Sequence, residues 1–108
     1  MHGNGARYRR RMTELRVVAT IVAKPGSEDA VRDALVALAA SSRAEDGCLS
    51  YELFESAAAP STFVTIETWT GQEALDAHMT SRHVTAALAT VGEQLASAPA
   101  IHPLSPMT

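Results

Sequence analysis

The sequence predicts an α+β domain, one antiparallel sheet with helices packed on one of its faces. Three observations carry that expectation. Stretches that alternate with period two (Leu15 to Ala23, Cys48 to Glu55, Thr62 to Trp69) stand apart from stretches with apolar residues at helical spacing, Ser27 to about Arg43 and Thr70 onward. The second and third strand segments are separated by the short loop Ala57-Ala58-Ala59-Pro60-Ser61, which suits an antiparallel hairpin. A length of 108 residues with 46% apolar content allows one domain with one core.

In the first strand, Leu15, Val17, Ala19 and Ile21 share one face, Val18 and Val22 leave the other partly apolar, and Pro25-Gly26 ends the run. Ser27 is a good N-cap residue, and Glu28 and Asp29 suit a helix start. Val31, Leu35, Leu38 and Ala39 form the apolar stripe that follows. Glu45-Asp46-Gly47 is turn chemistry, after which Leu49, Tyr51 and Leu53 fall on one side of the second strand. In the third strand Phe63, Thr65, Glu67 and Trp69 share a face, so a polar Glu67 stands between large apolar groups, as in a pocket wall.

Thr70-x-x-Glu73 has the spacing of a capping box and opens a short helix that brings Ala74, Leu75, His78 and Met79 near one another. Ser81 can cap a further helix whose inward stripe is Val84, Leu88, Val91 and Leu95, and Pro99 bars its continuation. Ala100 to Leu104 is a short strand that Pro103 confines to an edge. The order strand, helix, strand, strand, two helices, strand fits a ferredoxin-like topology. Helices then cover one face only, and Val18, Val22, Phe54, Val64 and Ile66 lie at the opposite parity. Pairing sheet against sheet with a second copy is the economical cover for them, so a homodimer is expected.

Composition narrows the function. The formal net charge is −3, yet Arg7, Arg9, Arg10 and Arg11 cluster at the start, so the rest of the chain is more acidic still. Such a domain repels phosphate backbones, and no nucleic-acid partner is expected. Residues 1–12 have no apolar period and are expected to be a disordered N-terminal extension, with Met12 a candidate first residue and 13–108 the domain. No apolar run approaches the roughly 20 residues of a membrane span, and no secretory-type segment is present, so a cytoplasmic location and no membrane partner are expected. Cys48, the one cysteine, excludes an intramolecular disulfide or a cysteine zinc cluster.

The ordered pieces Pro25-Gly26, Glu45-Asp46-Gly47-Cys48-x-x-Tyr51, Phe63-x-x-x-Glu67-x-Trp69 and Ala74-Leu75-x-x-His78-x-x-x-x-His83 carry a resemblance. From Thr13 to about Leu104 the chain resembles the antibiotic biosynthesis monooxygenase domain family, nearest its small quinol-monooxygenase-like members. The resemblance implies a dimeric α+β barrel that oxidises a small aromatic substrate, a small quinol or polycyclic phenol, with O2 and uses no cofactor: no metal, flavin or haem. It departs in one place. Anthrone-oxidising and haem-degrading relatives use an asparagine from the first strand, where this chain has Val18, Ala19 and Thr20, and its one asparagine is Asn4.

Cofactor-free oxidation needs a base, an apolar slot for a flat ring and donors for the resulting anion. His78 is the expected base, since imidazole titrates near neutrality; otherwise it is a helix histidine at the core edge. Trp69 offers a flat wall and an indole donor, or is core. Glu67 orients a histidine or binds a substrate hydroxyl, or else pairs with Arg16 or Arg82 across the surface. Tyr51 is either a donor to substrate or a cross-strand packing residue. His83, in the first turn of its helix, ranks below His78 as a base or is an ordinary helix-start residue, and it joins Phe63 and Arg82 as expected substrate contacts, Arg82 because some relatives place a cationic donor there. Cys48 is expected to be buried and inert. No metal site is expected from His78, His83 and Glu67, because a five-residue separation of the histidines does not place both on one face of a helix as His-x-x-x-His would. Two other functions fit the same residues: an isomerase that shifts a proton within a small ketone phosphate, and a non-catalytic dimer that binds a hydrophobic ligand.

Overall fold

The computed structural model describes residues 14–108. The expected disordered extension, residues 1–12, lies outside the described residues. Strand β1 (Leu15–Val22) leads through helix α1 (Glu28–Arg43) to strands β2 (Cys48–Glu55) and β3 (Thr62–Trp69). Helices α2 (Gln72–Met79) and α3 (Arg82–Val91), a short 3-10 turn (Gly92–Gln94) and strand β4 (Ala100–Pro103) complete the chain. The four strands pair antiparallel in the order β2-β3-β1-β4, which is the ferredoxin-like arrangement. The expected α+β class and element order therefore hold, with Pro103 on an edge strand as its missing N–H requires.

Strand parity decides the core. Val17, Ala19 and Ile21 of β1 and Phe63, Thr65, Glu67 and Trp69 of β3 are all buried on the helical side, while their neighbours in sequence are not. Ile21, Val31, Leu35, Phe63, Val91 and Leu95 pack at one end of that layer, and Val17, Ala39, Tyr51, Trp69 and Leu75 at the other. Arg32 does not only face solvent. Its guanidinium pairs with Asp29 at 2.6 Å and Glu55 at 3.1 Å and lies 5.6 Å from the Phe63 ring centre.

Four local expectations are corrected. Leu49 does not share the face of Tyr51: a bulge between Cys48 and Ser50 slips the register, leaves Leu49 50% exposed and turns Cys48 toward the core instead. Ser27 precedes α1 but makes no side-chain cap. Glu28 works there instead, accepting from the Gly26 N–H at 2.9 Å and the Ser61 hydroxyl at 3.0 Å, and hydrogen bonds from its own backbone and from Ser61 hold its carboxyl below the ordinary range. Gly26, at φ +88°, supplies the left-handed turn that this contact needs. The Thr70-to-Glu73 capping box does not form, because the N-cap of α2 is Gly71 and the Thr70 N–H is used by the Gly47 carbonyl at 2.9 Å. Leu88 faces inward yet stays 45% exposed, because it lines the mouth of a hollow. Ser81 does cap α3, accepting from the Val84 N–H at 3.4 Å while donating to the His78 carbonyl at 2.6 Å.

Gly47 sits in a close approach between the β2 turn and α2. A Cβ there would lie 2.3 Å from the Ala74 Cβ and 3.1 Å from Thr70 Oγ1, so only glycine lets this turn seat against the start of α2. Gly47→Ala is expected to destabilise the chain by about 1–3 kcal/mol in urea unfolding, and Ala74→Gly in the same chain to recover part of that loss. An unchanged midpoint in Gly47→Ala would contradict the close approach.

Candidate functional site

The site grows from β3. Thr65, Glu67 and Trp69 lie two residues apart on the buried face, and each flanking side chain donates to the carboxylate between them. The Thr65 hydroxyl reaches Glu67 Oε2 at 2.6 Å and the Trp69 indole N–H reaches Oε1 at 2.8 Å. Both oxygens of a buried acid are thereby satisfied by its own strand, and Glu67 pairs with neither Arg16 nor Arg82. Tyr51 faces Glu67 across the β2-β3 register and is itself buried. Burial, reinforced by the charge of Glu67, pushes its phenol pKa well up, and Ser42 works the other way; the hydroxyl stays protonated at ordinary pH.

Helix α2 lays His78 over this layer. The imidazole is buried, its ring centre 4.6 Å from that of Trp69 at a 38° tilt and 5.8 Å from that of Tyr51. Its Nδ1 lies 2.6 Å from Oε2 of Glu45, and the same oxygen is 3.0 Å from Nε2 of His83. A carboxylate oxygen only accepts, so each imidazole presents N–H to it, and in the neutral form of His78 that tautomer carries its lone pair on Nε2. Glu45 is the residue that sequence reasoning missed: its place in Glu45-Asp46-Gly47 reads as turn chemistry, although it opens the Glu45-Asp46-Gly47-Cys48 piece of the family resemblance.

Beside His78 is a hollow of about 80 Å³. Tyr51, Thr65, Glu67 and His78 line one part of it, and Ala19, Ile21, Leu35, Val84, Val91 and Ile101 make much of the rest apolar. Met79, 39% exposed, and Leu88 also line it and reach solvent, which accounts for the exposure of Leu88. Ala19 stands on the wall in the segment where some relatives carry an asparagine, so the polar groups come from β2, β3 and α2 rather than β1.

The remaining candidates separate. Trp69 is fully buried and does not line the hollow; it lies behind His78 and Glu67, stacking on one and donating to the other. Phe63 is a core residue under Arg32 and is not on the wall. Arg82 is exposed at the first position of α3. His83 is bound to Glu45 and edges a separate groove between α1 and α3 with Leu38 and Ser41. Cys48 is partly buried, and its thiol pKa is raised by burial and then by the charges of Glu45 and Glu67, which opposes reactivity. Among the described residues, those with metal-ligand chemistry that come together are Glu45, His78 and His83, not the set with Glu67.

Comparison with known proteins agrees with this architecture. Residues 15–90 match the family described as antibiotic biosynthesis monooxygenase, and the chain belongs to that family. It is 38% identical over 91 residues to a Mycobacterium tuberculosis protein named "Putative monooxygenase Rv0793", covering 84% of this chain and 89% of that one. The solved structure of Rv0793 superposes with a TM-score of 0.81 at 36% identity over 89% of this chain and 97% of that one. A Bacillus subtilis protein named "Putative monooxygenase YcnE" is 35% identical over 81 residues, 75% of this chain and 84% of its own length. The crystal structure of PA3566 from Pseudomonas aeruginosa gives a TM-score of 0.79 at 35% identity, covering 89% of this chain and 96% of that one.

Thr65→Val keeps the shape of the side chain and removes one of the two donors to buried Glu67. It is expected to lower stability by about 1–3 kcal/mol, read as a lower urea midpoint at constant slope. A neutral effect would mean that the Thr65 hydroxyl does not support the carboxylate.

Proposed function

We propose that the chain is a cofactor-independent monooxygenase that oxidises a small quinol or phenol with O2 in the hollow beside His78. The observation that carries this reading is the Glu45–His78 contact, which aims a proton-accepting Nε2 away from Glu45 on a residue that lines an apolar hollow. Family membership and relatives named as monooxygenases support it.

In this reaction His78 takes the substrate's hydroxyl proton, and Glu45 stabilises the imidazolium that forms. Tyr51, kept protonated, supplies a hydroxyl for the developing oxyanion. The anion gives one electron to O2, and the radical pair collapses with a new C–O bond. Imidazolium returns the proton to the peroxide, the ring C–H and the O–O bond break, and water leaves a carbonyl on the ring. The substrate is the sole reductant: one oxygen atom stays in the product and the other leaves as water. At about 80 Å³ the hollow is below the roughly 300 Å³ of ordinary ligand sites, so Met79 and Leu88 must swing outward to admit a ring. That favours a one- or two-ring quinol over a polycyclic phenol.

Oxygen-electrode assays of purified chain with such quinols, chelator present, test the reading. Uptake above autoxidation is expected, falling about 10²–10⁴-fold in His78→Ala. Uptake at the autoxidation rate, or undiminished in His78→Ala, would overturn the proposal; turnover of a ketone phosphate without oxygen would favour an isomerase.

We also propose that the working unit is a homodimer. Val18, Val22, Val64 and Ile66 are half-buried and Phe54 is exposed on the sheet face away from the helices, a patch that a second sheet would cover. Sedimentation should give twice the chain mass for the native protein and a single chain for Ile66→Lys. A native monomer at micromolar concentration would refute this.

A further inference from the structure

We propose that Glu45, His78 and His83 form a binding site for one divalent transition-metal ion of the zinc class. Each of the three offers a ligand atom within 4.8 Å of the others, and Nδ1 of His78 and Nε2 of His83 already meet at Oε2 of Glu45. Two imidazoles and a carboxylate are a borderline-soft donor set, suited to zinc, nickel or copper(II) rather than to magnesium or calcium. An ion with bonds of about 2.0–2.2 Å in a tetrahedral shell needs donors about 3.4 Å apart. The two carboxylate-to-imidazole separations, 2.6 and 3.0 Å, fall short of that spacing by less than an ångström. Glu45 is in the turn between α1 and β2, and the His83 side chain is 25% exposed, so both can shift by that amount while His78 stays fixed on α2. The acidic pair Glu45-Asp46 adds a field favourable to a cation.

Sequence spacing hides this site. The histidines are five apart and come from different helices, and their carboxylate lies 33 residues upstream of His78. Occupancy also has a chemical consequence, which rests on the monooxygenase reading. A metal takes the Nδ1 lone pair of His78 and leaves the proton on Nε2, the atom that must accept the substrate's proton. The ion would therefore act as an inhibitor, displaced by chelators.

The test is titration of the metal-free full chain with Zn2+ against a chromophoric chelator, with Co2+ absorption as a report of coordination geometry. One Zn2+ per chain is expected, with tetrahedral Co2+ bands. Glu45→Gln and His83→Ala should each weaken binding at least tenfold and abolish those bands, whereas His102→Ala, on edge strand β4, should change neither. Circular dichroism checks each fold, and His83→Ala decides alone if Glu45→Gln does not fold. Absence of stoichiometric uptake, or uptake untouched by a folded His83→Ala chain, would overturn the site. Binding is read without turnover, so its loss leaves the oxidation reading standing, and a chain that binds Zn2+ but consumes no O2 separates the two the other way.

Discussion

The close seating of the Glu45-Asp46-Gly47 turn on the first turn of α2 is the constraint on which the site depends. With no side chain at Gly47, its carbonyl takes the Thr70 N–H and its Cα approaches Ala74. Ala74 and His78 are one helical turn apart on the same face, so the turn that packs against the first carries Glu45 to the second. The Cys48 N–H closes onto the Glu45 carbonyl at 3.0 Å, which fixes where that carboxylate can reach. A loop that would otherwise be solvated thus becomes part of a buried hydrogen-bonding set.

Two carboxylates then divide the polar tasks. Glu67 is satisfied within β3 by Thr65 and Trp69, and this lets an acid sit in a layer otherwise built from aliphatic and aromatic groups. Glu45 is the one that touches the imidazoles. The indole links the two sets, because it donates to Glu67 and stacks on His78 without reaching the hollow. Trp69 therefore backs the ring of His78 and is not part of the hollow's wall.

What the sequence made legible was what periodicity carries. The parity of β1 and β3, the stripe of α1, the Ser81 cap and the edge placement of Pro103 all follow from local spacing, and the motif order pointed to the family. What stayed hidden depends on contacts distant in sequence. Leu49 alternates correctly on paper, but a bulge, which no alternation pattern encodes, moves it to solvent. Thr70 has the residue type for a cap, yet Gly47 claims its N–H first. Phe63 and Trp69 share a face with the pocket residues, and only the depth of packing separates a wall from what lies behind it.

The shared oxygen of Glu45 makes the state of His78 sensitive to whatever holds His83. While both imidazoles donate to it, the arrangement is self-consistent: one acceptor, two N–H groups, and a lone pair left on Nε2 of the buried ring. Removing His83 from that oxygen would free Glu45 to turn toward solvent, since its side chain keeps some exposure, and would relax the grip on Nδ1. His83 therefore bears on His78 without lining the hollow, by limiting where the carboxylate can point. Its position at the start of α3, capped by a serine that also bonds the His78 carbonyl, joins both histidines to one corner of the fold. A change in that corner reaches the buried imidazole through a single carboxylate, which ties the placement of His78 to the seating of the Glu45 turn rather than to the apolar lining of the hollow.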